Sequence, residues 1–369
     1  MSRIHTLFTE YGQSIWLDYI DRNLLVNGGL RTLVSEGVRG VTSNPTIFQK
    51  AIGGSTDYDA AIYDLVRADH NIDEKMLYQR LTVQDVQMAA DILATVYDSS
   101  DGTDGFVSLE VSPHLAFDTE ATILAARYLW ELVARPNLMI KVPATVPGLP
   151  AIESLIAEGV NINVTLLFSV ERYKAVLEAY IRGLLRNSNP GKVASVASFF
   201  VSRVDNKVDA ALDKIDSPES KRLKGKIAIA NAKMAYQHFK EVIGSAIFET
   251  ERKRGARPQR PLWASTSTKN PEYSDVLYVD HLIGRDTVNT VPPETLDAFQ
   301  MHGELHASLD NEVNAALYDL ESLDTLGIDL AQITQELEQE GVRKFTDSYD
   351  QLLTVLKNKL STVALEHAK

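Results

Sequence analysis

The sequence has 369 residues, of which 44% are hydrophobic, enough for one large α/β domain or two ordinary ones. It contains no cysteine, which excludes disulfides, thiolate catalysis and cysteine-ligated zinc or iron–sulfur sites. The net charge of -13 argues against general binding to nucleic acid or to an anionic membrane, but a local basic pocket could still bind a small anion.

The sequence also shows no signal for secretion or membrane insertion. The first residues contain no apolar run typical of a signal peptide. No window reaches the roughly 18 apolar residues that a membrane-spanning helix needs. We therefore predict a cytoplasmic protein.

Short apolar or β-branched runs alternate along the chain with longer stretches of helical periodicity. The predicted strands are residues 14–18, 39–42, 105–111, 138–142, 160–167, 193–200, 261–265 and 287–291. The clearest predicted helices are residues 57–68, 74–97, 119–134, 169–186, 219–251 and 270–282.

Eight strands that alternate with helices predict a parallel sheet closed into a (β/α)8 TIM barrel, which usually needs about 250 residues or more. An open, doubly wound sheet is the alternative. Such a sheet usually carries a glycine-rich turn after its first strand. Here the first strand ends in Trp16-Leu17-Asp18-Tyr19, without such a turn, which favours the barrel.

The region after the eighth strand changes character. Pro292-Pro293 ends the strand, and the residues from 294 to 369 are charged and helical in composition. Residues 329–368 indicate one or two amphipathic helices. We expect a single TIM-barrel domain over residues 1–369, with residues 293–369 as a helical extension packed on the barrel. A partner-binding helix is the alternative.

Lys141 is the most informative candidate for catalysis. It lies in the apolar run Met139-Ile140-Lys141-Val142-Pro143, whereas most other lysines lie in charged helical stretches. Desolvation lowers the pKa of a lysine, and the free amine can then attack a ketone and form an imine. Alternatively, Lys141 points outward at a strand end and reaches water.

Two carboxylates also lie near predicted strand ends. Asp18 ends the first strand, and the third strand carries Glu110 within Ser108-Leu109-Glu110-Val111. Imine formation needs an acid and aldol cleavage needs a base, so a carboxylate pair would suit a lysine nucleophile. Alternation on the fifth strand places Asn161, Asn163 and Thr165 on one face, where they could bind substrate hydroxyls or serve as polar packing.

Arg203 follows the sixth strand, and Lys269 follows the hydroxyl-rich run Ser265-Thr266-Ser267-Thr268. Cations and loop hydroxyls of this kind suit a phosphate dianion, although either cation could equally belong to the surface. No nucleotide-binding fingerprint or metal-ligand spacing is present, so we predict no cofactor and no metal.

Four segments together resemble the transaldolase family and occur in its order. They are GVTSNPTIF at residues 40–48, IKVPAT at 140–145, INVTLLFS at 162–169 and DTVNTVP at 286–292. The resemblance covers roughly residues 10–300. The longer chain, with its C-terminal helices, is similar to the longer bacterial subfamily.

The resemblance implies a Schiff-base transferase of the pentose phosphate pathway. Such an enzyme interconverts sedoheptulose 7-phosphate and glyceraldehyde 3-phosphate with erythrose 4-phosphate and fructose 6-phosphate. Lys141 matches the imine lysine, Asp18 the acid/base on the first strand, and Glu110 the glutamate that acts through a water. The predicted substrate-binding residues are Asn44, Asn163, Thr165, Ser198, Phe200, Arg203, Ser267 and Lys269.

One departure is Lys269, which stands where the short bacterial form has a second phosphate-binding arginine. Lysine keeps the charge but loses the bidentate fork. The nearest rival function is a fructose 6-phosphate aldolase, which resembles this chain but lacks the strand-three glutamate and has tyrosine in place of Phe200. A catalytically silent barrel is a further alternative. The resemblance gives no oligomeric state.

Overall fold

Eight parallel strands close into a barrel in the computed structural model, which describes residues 2–367, with side chains described for residues 2–363. The strands follow one another around the barrel in chain order, and β8 pairs with β1. They are β1 Gln13–Leu17, β2 Gly40–Val41, β3 Phe106–Glu110, β4 Leu138–Pro143, β5 Ile162–Leu167, β6 Ser195–Phe200, β7 Arg260–Ala264 and β8 Thr287–Val291.

Helices lie between the strands and after the last one. The first nine are α1 Arg3–Tyr11, α2 Arg22–Val26, α3 Gly29–Glu36, α4 Pro45–Gly53, α5 Asp59–Ala68, α6 Glu74–Ser99, α7 Thr119–Val133, α8 Gly148–Glu158 and α9 Val170–Arg186. The others are α10 Ser202–Ile215, α11 Pro218–Leu223, α12 Ile227–Ile243, α13 Ala246–Lys253, α14 Leu277–His281, α15 Pro293–His302, α16 Val313–Thr325 and α17 Leu330–His367. Two short 3-10 turns, Pro113–Leu115 and Pro190–Lys192, complete the described elements.

The predicted TIM barrel is confirmed, because all eight predicted strands belong to the closed barrel. Almost every strand residue is buried, as expected where side chains face either the barrel interior or the surrounding helices. This burial on both faces explains why the strands form nearly continuous apolar runs in the sequence.

None of the described helices is both long enough and apolar enough to cross a membrane.

The single helix predicted over residues 219–251 is wrong. Three helices, α11, α12 and α13, replace it. Gly225 has a left-handed φ of +69°, and a β-carbon there would lie 2.9 Å from the Tyr273 ring. Ser245 begins α13 by accepting a hydrogen bond from the Phe248 amide. Glycine and a capping serine therefore divide the helical stretch.

The helix predicted over residues 270–282 is mostly wrong as well, because only α14, Leu277–His281, is helical. Asn270 accepts a hydrogen bond from the backbone amide of Glu272, two residues further on. Pro271 follows Asn270 directly and cannot donate a backbone hydrogen bond. This local asparagine turn keeps the first half of the segment out of the helix.

The C-terminal region ends in one long helix, α17, and not in two. It packs against α4, α6 and α10. The predicted ends of this region at Ala368 and Lys369 lie outside the described residues. The domain boundaries 1–369 and 293–369, and the cytoplasmic location, stay predictions.

An ionic cluster closes the amino-terminal end of the barrel around Asp104, which is 1% exposed. Its carboxylate accepts hydrogen bonds from Trp16 Nε1 at 2.7 Å and from Arg39 Nε at 2.8 Å. Ser14 Oγ also donates to it, and Arg260 Nη2 lies 3.4 Å away. The cluster ties β1 and β7 to the segments that precede β2 and β3.

Asp104→Ala should lower the free energy of unfolding by about 3 kcal/mol, because it leaves two half-buried arginines and a buried indole N–H without their acceptor. Urea denaturation measures this loss. Asp64→Ala, at an exposed acid on α5, is the control and should stay within about 0.5 kcal/mol of the parent. Equal losses in the two variants would show that the cluster adds no stability.

Candidate active site

A cavity of about 1200 Å³ opens at the carboxyl ends of the barrel strands. This is the end of a TIM barrel where catalytic residues collect. Most predicted site residues line it, namely Asp18, Asn44, Lys141, Ser198, Phe200, Arg203, Ser267 and Lys269. The other three, Glu110, Asn163 and Thr165, are buried deeper among the strands.

Lys141 lies in the wall of this cavity and is only 4% exposed. Its Nζ donates a hydrogen bond to the carbonyl oxygen of Ser43 at 3.0 Å and lies 3.4 Å from Glu110 Oε2. Strand register pairs Glu110 with Lys141 and Lys141 with Asn163, so the three side chains start at one level of the barrel. The interpretation of Lys141 as an outward-pointing, solvated lysine is therefore wrong.

Glu110 is held as a buried carboxyl beside the amine. Burial raises its pKa to about 7, although Lys141 acts to lower it. The contact with Lys141 is a long ion pair and not a well-formed hydrogen bond. Both oxygens of Glu110 thus lack a hydrogen-bond partner among the described residues. Such a carboxyl can exchange a proton near neutral pH.

Asp18 follows β1 and faces the cavity directly. Thr42 Oγ1 donates a hydrogen bond to Asp18 Oδ1 at 2.7 Å, which fixes the carboxylate beside the end of β2. Burial raises the pKa of Asp18, and Lys141 opposes this shift most strongly. Asp18 and Glu110 thus both interact electrostatically with the same amine.

Polar side chains connect β3, β5 and β6 inside the barrel. Asn163 Nδ2 donates to Ser108 Oγ at 2.9 Å, and Ser198 Oγ donates to Asn163 Oδ1 at 2.7 Å. Thr165 Oγ1 is buried without a hydrogen-bond partner among the described residues. Asn161 differs, because its amide binds the backbone of Pro136 and Leu138 at the opposite end of the strands. The face that Asn163 and Thr165 share is thus turned into the barrel.

Asn44 has a structural contact as well as a place in the cavity. Its Oδ1 accepts a hydrogen bond from the backbone amide of Ile47 at 3.0 Å and thereby begins α4. Pro45 follows at the first position of that helix, where its missing N–H is not needed. The side-chain amide of Asn44 is therefore held at a fixed place on the cavity wall.

Arg203 lies in the first turn of α10, near Ser267 and Lys269 of the loop after β7. Its guanidinium is 5.0 Å from the centroid of the Phe200 ring. Burial lowers the pKa of Arg203, and Asp18 opposes this effect. Lys269 is exposed on an irregular loop. These cations are placed to meet an anionic group at the cavity mouth.

Three further lining residues were not identified from the sequence. Lys50 extends from α4, and Lys344 and Phe345 extend from α17. The Phe345 ring centroid is 5.8 Å from Lys141 Nζ. Residues from a distant amphipathic helix carry no local signal of the barrel site, so sequence periodicity could not reveal them. Among the described side chains, no group of three or more acids and histidines is arranged to hold a metal ion.

A family model and several known proteins that resemble this chain all indicate the same family. The sequence model of "Transaldolase/Fructose-6-phosphate aldolase" matches residues 15–356. The Mycolicibacterium smegmatis transaldolase is 48% identical over 355 residues, which cover 95% of each chain. The Thermobifida fusca transaldolase is 46% identical over 96% of this chain and 97% of its own. Transaldolase 2 of Nostoc punctiforme is 46% identical over 99% of this chain and 100% of its own.

Glu110 should lose its proton as pH rises through about 7, because burial raises its pKa from the ordinary 4.5. Infrared spectra recorded from pH 5 to 9 would follow the protonated carboxyl band. Asp85, with a pKa of about 6, and Asp205, with a pKa of about 7, titrate in the same range. The measurement is therefore the parent spectrum minus that of Glu110→Gln. A difference band whose midpoint lies near pH 4.5 would contradict the assignment.

Proposed function

The chain belongs to the transaldolase/fructose-6-phosphate aldolase family, and from this premise we propose how its residues carry out the transaldolase reaction. The reaction moves a dihydroxyacetone unit from sedoheptulose 7-phosphate to glyceraldehyde 3-phosphate. It yields erythrose 4-phosphate and fructose 6-phosphate, as a step of the pentose phosphate pathway. Similarity to transaldolases over 95–99% of this chain supports the same activity here.

The observation that carries the proposal is the position of Lys141, a buried amine in the cavity wall beside a buried carboxyl. Once its proton has passed to the Glu110 carboxylate, the Lys141 amine attacks the ketone carbon of the donor sugar and forms a carbinolamine. Loss of the carbinolamine hydroxyl as water gives the iminium ion. The Ser43 carbonyl, 3.0 Å from Nζ, holds the amine in place before the attack.

Glu110 is suited to the proton transfers of imine formation. Its carboxyl is close to Lys141 Nζ but does not line the open cavity. With a pKa of about 7, it can give a proton to the departing hydroxyl and take one back during imine hydrolysis. A water could relay this proton between the carboxyl and the carbinolamine oxygen.

Asp18 is suited to carbon–carbon cleavage because its carboxylate faces the cavity. One of the two carbons joined by the bond that breaks carries a hydroxyl, and Asp18 takes the proton of that hydroxyl. That carbon becomes the carbonyl of the leaving aldehyde, and the bonding electron pair moves to the iminium nitrogen and leaves an enamine. In the second half-reaction, the enamine carbon attacks the acceptor aldehyde, and Asp18 returns the proton to the new alkoxide.

The remaining predicted residues would hold the sugar phosphate in place. Asn44 and Ser198 offer polar groups to substrate hydroxyls along the cavity wall, and Asn163 orients Ser198 from below. Arg203, Ser267 and Lys269 would bind the phosphate at the mouth. Anchoring both ends of an extended phosphosugar aligns its ketone with Lys141.

Release of free dihydroxyacetone is the competing aldolase reaction. It requires a proton donor to the enamine carbon. Phe200 lies in the cavity wall, where it packs on Phe168 with ring centroids 5.1 Å apart. A phenyl ring has no hydroxyl to supply that proton. This favours transfer of the unit to a second aldehyde.

Incubation with fructose 6-phosphate and sodium borohydride should place a reduced three-carbon adduct on Lys141, detected by peptide mass spectrometry. Lys141→Met should abolish the adduct and the turnover. Lys233→Met is the matched control, because Lys233 is also a buried lysine that donates to a backbone carbonyl, that of Asn311 at 2.7 Å. Its adduct should remain on Lys141. An adduct on another lysine in the parent protein would overturn the site.

Substitutions of the two carboxyls should slow different steps of the reaction. Glu110→Gln should slow imine formation by about 10²–10⁴-fold, measured by rapid-quench borohydride trapping. Asp18→Asn should still form the imine but should slow release of glyceraldehyde 3-phosphate by a similar factor, so the trapped adduct should be a six-carbon species. If both variants trap the same adduct at the same rate, the division of roles is wrong.

A further inference from the structure

Four cations meet at the mouth of the cavity and come from four different elements. They are Lys50 of α4, Arg203 of α10, Lys269 of the loop after β7 and Lys344 of α17. Among the side chains that the structure describes, none of the four forms an ion pair with a carboxylate. In a chain with a net charge of -13, such a group of unpaired cations needs an explanation.

Lys344 belongs to this group, since it lines the cavity with the other three cations, although its side chain is exposed. Burial and the nearby charges of Arg203, Lys269 and Lys50 lower its pKa, with Arg203 the strongest of the three. Like charges repel, so the arrangement is unfavourable unless an anion binds between them.

Close packing brings this part of α17 to the site. A β-carbon on Gly341 would lie 2.9 Å from Leu166 Cδ2 and 3.6 Å from Arg203 Nη1. Residues three apart lie on the same face of a helix, so Lys344 leaves α17 on the side where Gly341 meets the barrel. Thr46 Oγ1 and Ser348 Oγ, 2.9 Å apart, hold the next turn of the helix in place.

The neighbouring acid on the helix does not neutralise Lys344. Glu340 precedes it by four residues, a spacing that favours an ion pair within a helix. The structure instead pairs Glu340 Oε1 with Lys207 Nζ of α10 at 2.7 Å. Lys207 thus occupies Glu340, and among the described side chains no ion pair joins Lys344 to Glu340 or to Asp347, three residues further along the helix.

We propose that Lys344 binds the phosphate of the sugar substrate, together with Arg203 and Lys269, so that α17 forms part of the active site. The proposal rests on the proposed function and extends it to a residue of the C-terminal helix. A phosphate monoester carries nearly two negative charges and three acceptor oxygens. Two lysines reaching different oxygens replace the bidentate fork that one arginine would supply.

The first test measures inorganic phosphate binding by isothermal titration calorimetry. Lys344→Met should raise the dissociation constant about 10–100-fold, as expected for loss of a charge-assisted hydrogen bond. Lys357→Met removes an exposed lysine of the same helix and should leave the constant unchanged. Lys344→Arg should keep most of the affinity, which a purely structural role would not predict.

The second test compares fructose 6-phosphate with fructose as donors. In Lys344→Met, the ratio of their kcat/KM values should fall about 10–100-fold, while Lys357→Met should keep the parent ratio. An unchanged phosphate constant and donor ratio in an active, folded Lys344→Met enzyme would overturn this proposal and leave the transaldolase assignment intact. If the parent bound phosphate through Lys344 but formed no imine with either sugar, the proposed function would fail and the phosphate site would stand.

Discussion

The buried pair of Lys141 and Glu110 is the constraint on which the site depends. Both groups are almost fully buried, and a separation of 3.4 Å between Nζ and Oε2 gives only a long ion pair. Removing two charges from water costs several kcal/mol for each ion, and such a contact offsets this cost incompletely. The raised pKa of Glu110 follows, because a neutral carboxyl costs less to bury than a carboxylate. A proton near the amine is therefore easily gained or lost, which is what imine chemistry needs.

Rigid strands make this unfavourable pair possible. The parallel register sets Glu110, Lys141 and Asn163 on adjacent strands at one level, where none can move away without breaking the barrel. Asn163 then binds Ser108 and Ser198 on the neighbouring strands, which fixes the polar side chains next to the reactive pair. The stability of the barrel thus comes from its apolar strand faces and from the ionic cluster of Asp104 at the far end.

The sequence predicts the barrel well because burial on both faces leaves a direct signal in each strand. Lys141 stands out for the same reason, as a charge inside an apolar run. Helix limits are less predictable, since the break at Gly225 depends on packing against Tyr273, which is remote in sequence. The role proposed for α17 is not predictable from the local sequence pattern of the helix. It depends on the charges of other elements that lie near Lys344 in the folded chain. Long-range placement is the information that one sequence lacks.

The charge distribution gives the site its choice of ligand. The acidic surface repels extended polyanions, whereas the unpaired cations at the mouth create a local positive field inside it. A small phosphate dianion can enter this field. It is attracted to the cations and also reduces the repulsion among them, and both effects favour binding. In the proposed function, the sugar extends inward from the phosphate toward Asp18 and Lys141. In the proposed arrangement α17 does more than cover the barrel, because a barrel without it would lack Lys344, one of the charges that we propose to hold the substrate at a fixed distance from the amine.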